Sequence, residues 1–430
     1  MRGGKIEPMP TTPIEADVHK HLRYNILVNL LDGAYFGLGM GFGSFTTIVT
    51  LFVTRLTSSA ILIGLIPAIH AAGWQLPQLF TAGWVSRQRR YKPMVVWLTT
   101  QERIPFLGLA AIAWFLPALG NRAALVLTFA MLVWQGMGAG ITANAWQSMV
   151  AKIIPPESRG SFFGAQAALA NIMMSVGAVL AGYLLDRVNF SFNFAACFLL
   201  TVFFMGLSLL VVALTREPED REKIITQEKH GFWRTSAEIL RHDRNFDWFL
   251  VVRIMSFFAT MGFSFYIVYV LRQFHIAMVT AGFLTATLAI ASTTANAIMG
   301  WTGDRLGHRS MLVVGAGALS LSALIAWAAP SFGWFYLVVA LAGFANASIW
   351  TTGMAMTVEF GTEEQRPIYI GLSNTLTAPA AIVGPLIGGW IADTAGFHAT
   401  FITSAALGAA TVLILLTFLR DPRLVRQGTE

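Results

Sequence analysis

The sequence predicts an all-α membrane protein with twelve transmembrane helices in two pseudo-symmetric six-helix bundles. Three observations support this fold class: a strongly apolar composition, twelve apolar runs of membrane-spanning length, and an internal repeat. Of the 430 residues, 55% are hydrophobic and only 12% are charged. Soluble domains carry about twice that charged fraction, so the composition excludes an ordinary soluble domain.

Apolar runs of about 20 residues, bounded by charges or by Gly and Pro, mark the twelve spans. Helices are expected throughout, because an unpaired backbone cannot face lipid and the runs lack the alternation of barrel strands. The predicted spans cover residues 25–53, 60–85, 93–117, 122–150, 160–185, 191–214, 247–271, 278–302, 310–329, 332–358, 367–392 and 397–419.

The basic residues predict how the chain crosses the membrane. With both termini inside, 23 of the 29 Lys and Arg residues lie in cytoplasmic segments and only four lie in outside loops. Because basic loops stay in the cytoplasm, we expect a plasma or inner membrane protein with both termini cytoplasmic. The same pattern accounts for the net charge of +7 without nucleic-acid binding.

The charges also divide the chain into segments. The predicted order is a cytoplasmic tail (1–24), an N-terminal bundle (25–215), a cytoplasmic linker (216–245), a C-terminal bundle (246–420) and a cytoplasmic tail (421–430). Within the linker, an apolar group predicts a short helix on the membrane surface, with a partner-docking helix as the alternative. This group consists of Phe232, Trp233, Ile239 and Leu240.

The two halves repeat each other. Gly83-Trp84 corresponds to Gly300-Trp301 with a shift of 217 residues, and a second set corresponds with a shift of 207. The second set pairs Gly177, Gly182, Asp186 and Phe190 with Gly384, Gly389, Asp393 and Phe397. Such duplication is typical of transporters whose substrate path lies between repeats near the bilayer midplane.

A glycine-flanked charge cluster joins two apolar runs in the second half: Gly300, Asp304, Arg305, Gly307 and Arg309. Glycines allow a tight turn and close helix approach, while the basic residues hold the loop at the cytoplasmic surface. This spacing resembles the loop signature of the major facilitator superfamily. The resemblance implies a secondary transporter, monomeric, that binds a small-molecule substrate and works by rocking of its two halves.

The first copy of this loop departs from the pattern, because Arg87 occupies the Asp position and Arg90 the second Gly position. We therefore predict an asymmetric cytoplasmic gate that depends mainly on Asp304 and Glu359. The alternative is that the basic run 87–92 only anchors to anionic lipid headgroups. The predicted gate comprises Gly300, Asp304, Arg305, Gly307, Arg309 and Glu359.

Four charged residues lie well inside predicted spans: Asp32, Glu102, Arg103 and Arg253. Charge inside a membrane is costly, so such residues are functional candidates by default. Asp32 and Glu102 are the only well-buried acids in the sequence pattern, which makes them the candidates for proton coupling. Because the four charges sum to zero, structural pairing between helices is the alternative.

Polar and aromatic stripes on several spans predict a mixed cavity, since a polar stripe on a membrane helix should face a cavity. Arg253 in this set could bind an anionic group or pair with Asp32 across the halves. The candidate substrate-cavity residues are Asn29, His70, Trp74, Gln78, Arg103, Asn144, Gln147, Arg253, Asn346 and Trp350.

These observations predict a secondary active transporter for a small organic solute, proton-coupled, with alternating access, embedded in the lipid bilayer. The sequence contains no persuasive enzyme, nucleotide or metal-ligand motif, so we expect no enzymatic activity, cofactor or metal. Two alternatives remain: an exporter of lipids or amphiphiles, and a non-transporting sensor or pigment or complex assembly factor with the same fold.

Overall fold

The fold is entirely helical over the part of the chain that the structure describes. This computed structural model describes residues 13–85, 88–219, 238–357, 359–361 and 366–422. Every regular element in these ranges is a helix, which confirms the predicted fold class. The linker residues Phe232 and Trp233 lie outside the described residues, whereas Ile239 is buried against the C-terminal bundle.

The first half forms six spans from seven helices, because its first span is broken. The helices are α1 (Pro13–Phe42), α2 (Ile48–Leu56), α3 (Ala60–Val85), α4 (Lys92–Trp114), α5 (Leu116–Ile153), α6 (Pro156–Arg187) and α7 (Phe192–Val212). Helix α1 begins before the predicted span, since its polar first turns continue the helix beyond the apolar run. Gly120, with φ of 72°, interrupts α5, so its long part begins close to the predicted residue 122.

The second half forms another six spans. Its helices are α8 (Arg244–Ala259), α9 (Tyr266–Phe274), α10 (Met278–Leu306), α11 (His308–Ala328), α12 (Trp334–Ala347), α13 (Gly353–Thr357), α14 (Arg366–Ala395) and α15 (Phe397–Thr417). A 3-10 turn, Thr260–Phe265, joins α8 to α9, and a π turn, Ser348–Thr352, joins α12 to α13.

Ten spans of the described chain are long and apolar enough to cross a membrane by length and hydropathy. The two remaining spans begin with α1 and α4, which carry Asp32 and the Glu102–Arg103 pair. Buried charge thus accounts for the lower hydropathy of these two helices.

The two bundles meet through two helix pairs. Helix α6 packs against α10, and α3 packs against α14. We call the end of the molecule where α7 ends and α8 begins the linker face and the opposite end the distal face. A large apolar core extends through the distal half and includes residues of both bundles, such as Leu185, Phe198, Tyr266 and Phe335.

The first span of each half breaks at a corresponding place. In the first half, α1 ends at Phe42 and α2 starts at Ile48, with the sequence Met-Gly-Phe-Gly-Ser-Phe (40–45) across the gap. In the second half, Met-Gly-Phe-Ser-Phe (261–265) forms the 3-10 turn between α8 and α9. The internal repeat therefore extends to the position of these interruptions.

Each half also closes its linker-face end with an asparagine. Asn25 of α1 donates to the Arg216 backbone oxygen and accepts from the Arg216 backbone nitrogen, each at 2.9 Å. Asn245 of α8 makes the same two bonds with the backbone of Arg420, at 3.0 and 2.9 Å. Each amide thus attaches the first span of its half to the chain that leaves the sixth span.

Candidate functional site

A cavity of about 450 Å³ lies inside the N-terminal bundle. Four aromatic side chains contribute to its wall: Phe36 from α1, Trp74 from α3, Trp146 from α5 and Phe163 from α6. Since α5 runs toward the linker face and α6 starts there, Trp146 and Phe163 place the cavity between mid-height and the linker face. The wall is predominantly apolar and can accommodate a flat or hydrophobic solute.

The close approach of α3 and α5 shapes this cavity. A Cβ atom added to Gly140 would collide with the backbone oxygen of Gly73. Two glycines therefore allow the backbones to touch next to Trp74, as small residues do in membrane helix pairs. This contact fixes the direction in which α3 presents the tryptophan ring.

The polar part of the wall centres on Asp32, which is 8% exposed. Ser208 of α7 donates a hydrogen bond of 2.6 Å to Asp32 Oδ1. Arg103 Nη2 in turn donates to Ser208 Oγ at 2.9 Å. A serine hydroxyl therefore links the carboxylate to the guanidinium instead of a direct ion pair.

Arg103 is held rigidly by backbone groups. Its Nε donates to the Met205 carbonyl at 2.7 Å and its Nη1 donates to the Thr99 carbonyl at 2.9 Å. Nη1 also donates to the Thr99 hydroxyl. Glu102 lies beside it, with Oε2 3.9 Å from Nη1. Arg103 thus connects α4 to α7 and sets the electrostatic environment of both acids.

The buried charges at this site do not balance. Two carboxyl groups, Asp32 and Glu102, face one guanidinium, Arg103, and all three line the cavity. If both acids were ionised, the site would carry one excess negative charge away from water, which is costly. One proton, or one cation in the cavity, would neutralise the excess.

Several predicted cavity residues instead hold helices together. Asn29 donates to Thr215 Oγ1 at 3.2 Å. Asn144 of α5 donates to the Gln78 carbonyl of α3 at 2.7 Å, and the Gln78 side chain donates to its own helix. Gln147 is exposed. These residues are not part of the cavity wall.

His70 also lies away from the cavity wall. Its ring packs against Phe45, with centroids 4.6 Å apart. Its Nδ1 is buried and has no hydrogen-bond partner among the described residues.

In the C-terminal bundle, Arg253 is 2% exposed, and its Nε and Nη1 find no hydrogen-bond partner within the described chain. Its guanidinium carbon lies 6.0 Å from the Phe249 ring centroid and 5.6 Å from that of Phe257. Trp350 makes an edge contact with Phe257, with centroids 5.4 Å apart. The structure therefore surrounds this arginine with aromatic rings instead of a carboxylate.

Asn346 of α12 is half-buried. Asn346, Arg253 and Trp350, the three predicted cavity residues of the second half, lie outside the wall of the N-terminal cavity. The structure thus separates the predicted cavity residues into two bundles.

The predicted gate lies at the linker face. Arg309 donates from Nε and Nη2 to the carbonyls of Leu415 and Leu416, at 3.0 and 3.1 Å. Glu359 Oε1 lies 2.6 Å from His308 Nδ1. These contacts lie within the C-terminal bundle, and the gating role stays a prediction.

The rest of the predicted gate is described only in part. Gly307 ends α10 with φ of 86°, and Arg305 is exposed in the last turn. The surroundings of Gly300 and the Asp304 side chain lie outside the described residues.

At the distal face, hydrogen bonds join the two bundles. Asp186 of α6 accepts from the backbone nitrogens of Met278 and Val279, and Asp393 of α14 accepts from those of Ala60 and Ile61. Farther from this face, Asn171 donates to Thr293 and Thr47 bonds to Thr285. The structure is therefore closed at its distal face.

Some site residues were not anticipated. Ser208 is one of many hydroxyls in apolar helices and carries no distinctive sequence signal. Trp146 and Phe163 resemble ordinary lipid-facing aromatics. Gln166, which donates to the Asn29 carbonyl at 3.0 Å, lies on a helix in which only the repeated glycines and Asp186 stand out in the sequence. Counting polar residues on the same face of α6 as Gly177 could have found Gln166.

Comparisons with known proteins agree with this architecture. Multidrug resistance protein 1 of Bacillus subtilis (strain 168) is 26% identical over 153 residues, 36% of this chain and 39% of that protein. Probable vesicular acetylcholine transporter-B of Danio rerio is 29% identical over 140 residues, 32% of this chain and 28% of that protein. Each alignment therefore spans less than half of the relative's length.

Solved structures resemble the chain over nearly its whole length. A D-xylose-proton symporter superposes with a TM-score of 0.70 at 14% identity and covers 94% of this chain and 99% of its own. A POT family transporter in complex with 5-aminolevulinic acid gives 0.70 at 12% identity, covering 93% and 96%. At these identities the likeness establishes the fold alone.

The sequence match establishes the family. The model of the Major Facilitator Superfamily matches residues 102–271 and 249–430. Together these two matches extend over well more than half of the chain and include both bundles. The chain belongs to the Major Facilitator Superfamily.

Proposed function

We propose that this transporter exchanges protons for an organic solute that has an apolar body and one positive charge. The family makes the chain a multi-pass membrane transporter of small molecules, and not an enzyme. One observation carries the finer proposal: an aromatic cavity whose two acids exceed its one base. Aromatic faces and an unbalanced carboxylate both attract an organic cation.

Asp32 is the proposed exchange site. Its one described side-chain partner is the Ser208 hydroxyl, which can donate to a carboxylate or accept from a protonated carboxyl. Arg103, in contrast, is fixed by two carbonyl groups and stays in place. A cation that enters the cavity would stabilise the ionised acid and release its proton, so binding and proton release are one event.

The names of two relatives agree with an organic solute, and one of them names an organic cation. One is a multidrug resistance protein and the other a vesicular acetylcholine transporter, although both align over only part of their length. With the linker face in the cytoplasm, as the basic residues predict, the cavity would load from the cytoplasm while the distal face is closed. Exchange against incoming protons would then export the solute.

Proton release on ligand binding tests this proposal directly. We suggest adding tetraphenylphosphonium to the purified, weakly buffered protein near pH 7 and recording the pH with a dye. The expected result is release of up to one proton per bound cation. Because protons and the cation compete, the affinity for tetraphenylphosphonium should rise with pH until the acid is fully ionised.

Two substitutions separate the coupling site from general effects. Asp32→Asn should abolish both the proton release and the pH dependence of binding. Asp247→Asn, which changes a partly buried acid of α8 outside the cavity wall, should leave both unchanged. Unaltered proton release in Asp32→Asn would refute the assignment of this acid.

A second candidate function rests on Arg253. The Nε and Nη1 of its buried guanidinium have no hydrogen-bond partner among the described residues, which favours a solute with an anionic group, bound in the C-terminal bundle. In that case carboxylate compounds, and not tetraphenylphosphonium, would raise the melting temperature, and Arg253→Gln would remove the effect. Stabilisation by lipids or pigments alone would favour the exporter of lipids or the assembly role.

A further inference from the structure

Two aspartates occupy equivalent positions at the distal ends of the two bundles. Asp186 ends the fifth span of the first half, and Asp393 ends the fifth span of the second half, 207 residues later. Neither residue lines the cavity described above. Their shared position in the repeat predicts a shared task.

Each aspartate binds the first turn of a helix in the opposite bundle. Asp186 Oδ1 and Oδ2 accept from the backbone nitrogens of Met278 and Val279, both at 2.8 Å, where α10 begins. Asp393 Oδ1 accepts from the backbone nitrogen of Ala60 at 2.6 Å, where α3 begins.

Asp393 makes two more bonds to the same helix start. Its Oδ2 accepts from the Ile61 backbone nitrogen at 3.0 Å and from Ser59 Oγ at 2.9 Å. Both oxygens of each carboxylate are therefore engaged across the junction of the bundles, which an isolated surface aspartate would not achieve.

At α10 these bonds replace a cap that the helix does not provide for itself, and at α3 they add to the Ser59 hydroxyl, which accepts from the Leu62 backbone nitrogen at 3.4 Å. The residue before α10 is Ala277, which has no side chain able to cap. The first nitrogens of a helix otherwise lack partners and carry the positive end of the helix dipole, so a carboxylate is favoured there. Here the capping group comes from the other bundle.

A glycine four residues earlier accompanies each aspartate. A Cβ atom added to Gly182 would lie 2.7 Å from Val279 Cα, and one added to Gly389 would lie 2.6 Å from the Ala60 backbone oxygen. One helical turn separates the two residues, so they lie on the same face. In the pattern Gly-x-x-x-Asp, the glycine thus allows close contact with a helix of the other bundle, and the aspartate caps the start of that helix.

We propose that Asp186 and Asp393 are the paired gating residues of the distal face. The distal face can open only if α6 separates from α10 and α14 separates from α3, which breaks all five bonds together. The two caps therefore set the equilibrium between the distal-closed and distal-open states. The proposed gate is separate from the proposed proton exchange at Asp32 and does not depend on the identity of the substrate.

Double electron–electron resonance spectroscopy measures this equilibrium without any ligand. The chain has a single cysteine, Cys197, so Cys197→Ala gives a background for labelling. Spin labels at Asn121→Cys and Ser331→Cys, two exposed positions at the distal ends of the first and second bundle, would report on the distance between the bundles. With both aspartates present, we expect a short distance between the two spin labels in the main population of molecules.

Removal of the caps should add a longer distance. We expect Asp186→Ala and Asp393→Ala each to raise the ratio of open to closed molecules about tenfold or more, and the double variant to raise it further. Asp→Asn should act more weakly, because an amide retains one acceptor oxygen for the two backbone nitrogens.

Asp243→Asn is the matched control. Asp243 also caps a helix, by accepting from the Phe246 backbone nitrogen at 2.9 Å, but within its own bundle. This variant should leave the distal distances unchanged. An unchanged distance distribution in the folded double alanine variant would refute the gating role.

A cross-link provides an independent test if the alanine variants fold poorly. Ser59→Cys combined with Asp393→Cys places two thiols where the serine and carboxylate oxygens now lie 2.9 Å apart. Oxidation of this pair should stop the distance change that a cycling transporter shows, and a reductant should restore it. A persistent distance change after complete cross-linking would overturn the proposal.

Discussion

Replacing Arg103 with methionine should destabilise the protein strongly, and an additional Asp32→Asn substitution should recover part of the loss. Methionine fills a similar volume but leaves the two buried acids without a counter-charge. It also removes the guanidinium bonds to the Met205 carbonyl and to Thr99. Breaking a buried charge network by removing one partner costs about 3–5 kcal/mol.

The recovery follows from the charge imbalance. With Arg103 absent, Asp32→Asn removes one of the two uncompensated acids while it retains an oxygen that can accept from Ser208. Coupling energies between contacting groups of one network are about 0.5–3 kcal/mol. Thermal unfolding of the four proteins of this double-mutant cycle would give the sign of the coupling.

The outcome decides between two roles for the arginine. If Arg103→Met has the same melting temperature as the wild type, the buried charges do not stabilise one another, and the predicted charge network is refuted. If the double variant is no more stable than Arg103→Met, the loss comes from helix attachment alone. Glu102→Gln in place of Asp32→Asn serves as the matched comparison, because among the described residues the Glu102 carboxylate has a polar contact with Arg103 alone, at 3.9 Å.

Three further predictions concern the cavity and its frame. Trp74→Ala should weaken tetraphenylphosphonium binding by about tenfold, whereas Trp97→Ala, on the exposed face of α4, should not change it in the same binding assay. Asn25→Ala should lower stability by about 1–3 kcal/mol, measured by denaturant unfolding, because two backbone groups of Arg216 lose their partner. Gly140→Val should separate α3 from α5 and lower both the melting temperature and the binding affinity.

The sequence alone predicted the fold well, because each apolar run must form a helix in a membrane. It also identified the three charged residues of the cavity, since Asp32, Glu102 and Arg103 stand out against apolar neighbours. Ser208 could not be identified in this way. Its role depends on α7 lying against α1 and α4, which only the packed bundle reveals.

Polar residues on one face of a predicted span were a weaker guide to the cavity residues than the buried charges were. A polar residue on a membrane helix can face a cavity or a neighbouring helix, and both choices satisfy its hydrogen bonds. Asn144 faces α3, and Asn29 faces α7, so both serve packing in this structure. Asp186 and Asp393 were recognised as repeat markers, but their contacts join opposite bundles and have no trace in sequence spacing.

The interruptions of the first and seventh spans affect how the movement of these spans should be measured. Beyond each interruption, α2 and α9 lie in the distal apolar core, and before it α1 and α8 pack mainly against the later helices of their own bundles. Each of these spans consists of two helices with an interruption between them, and the two interruptions lie at corresponding positions of the repeat. We therefore expect a probe on α2 to follow a different path from a probe on α1, although both belong to one span. A label on α1 alone would thus misjudge how far the distal part of its span moves.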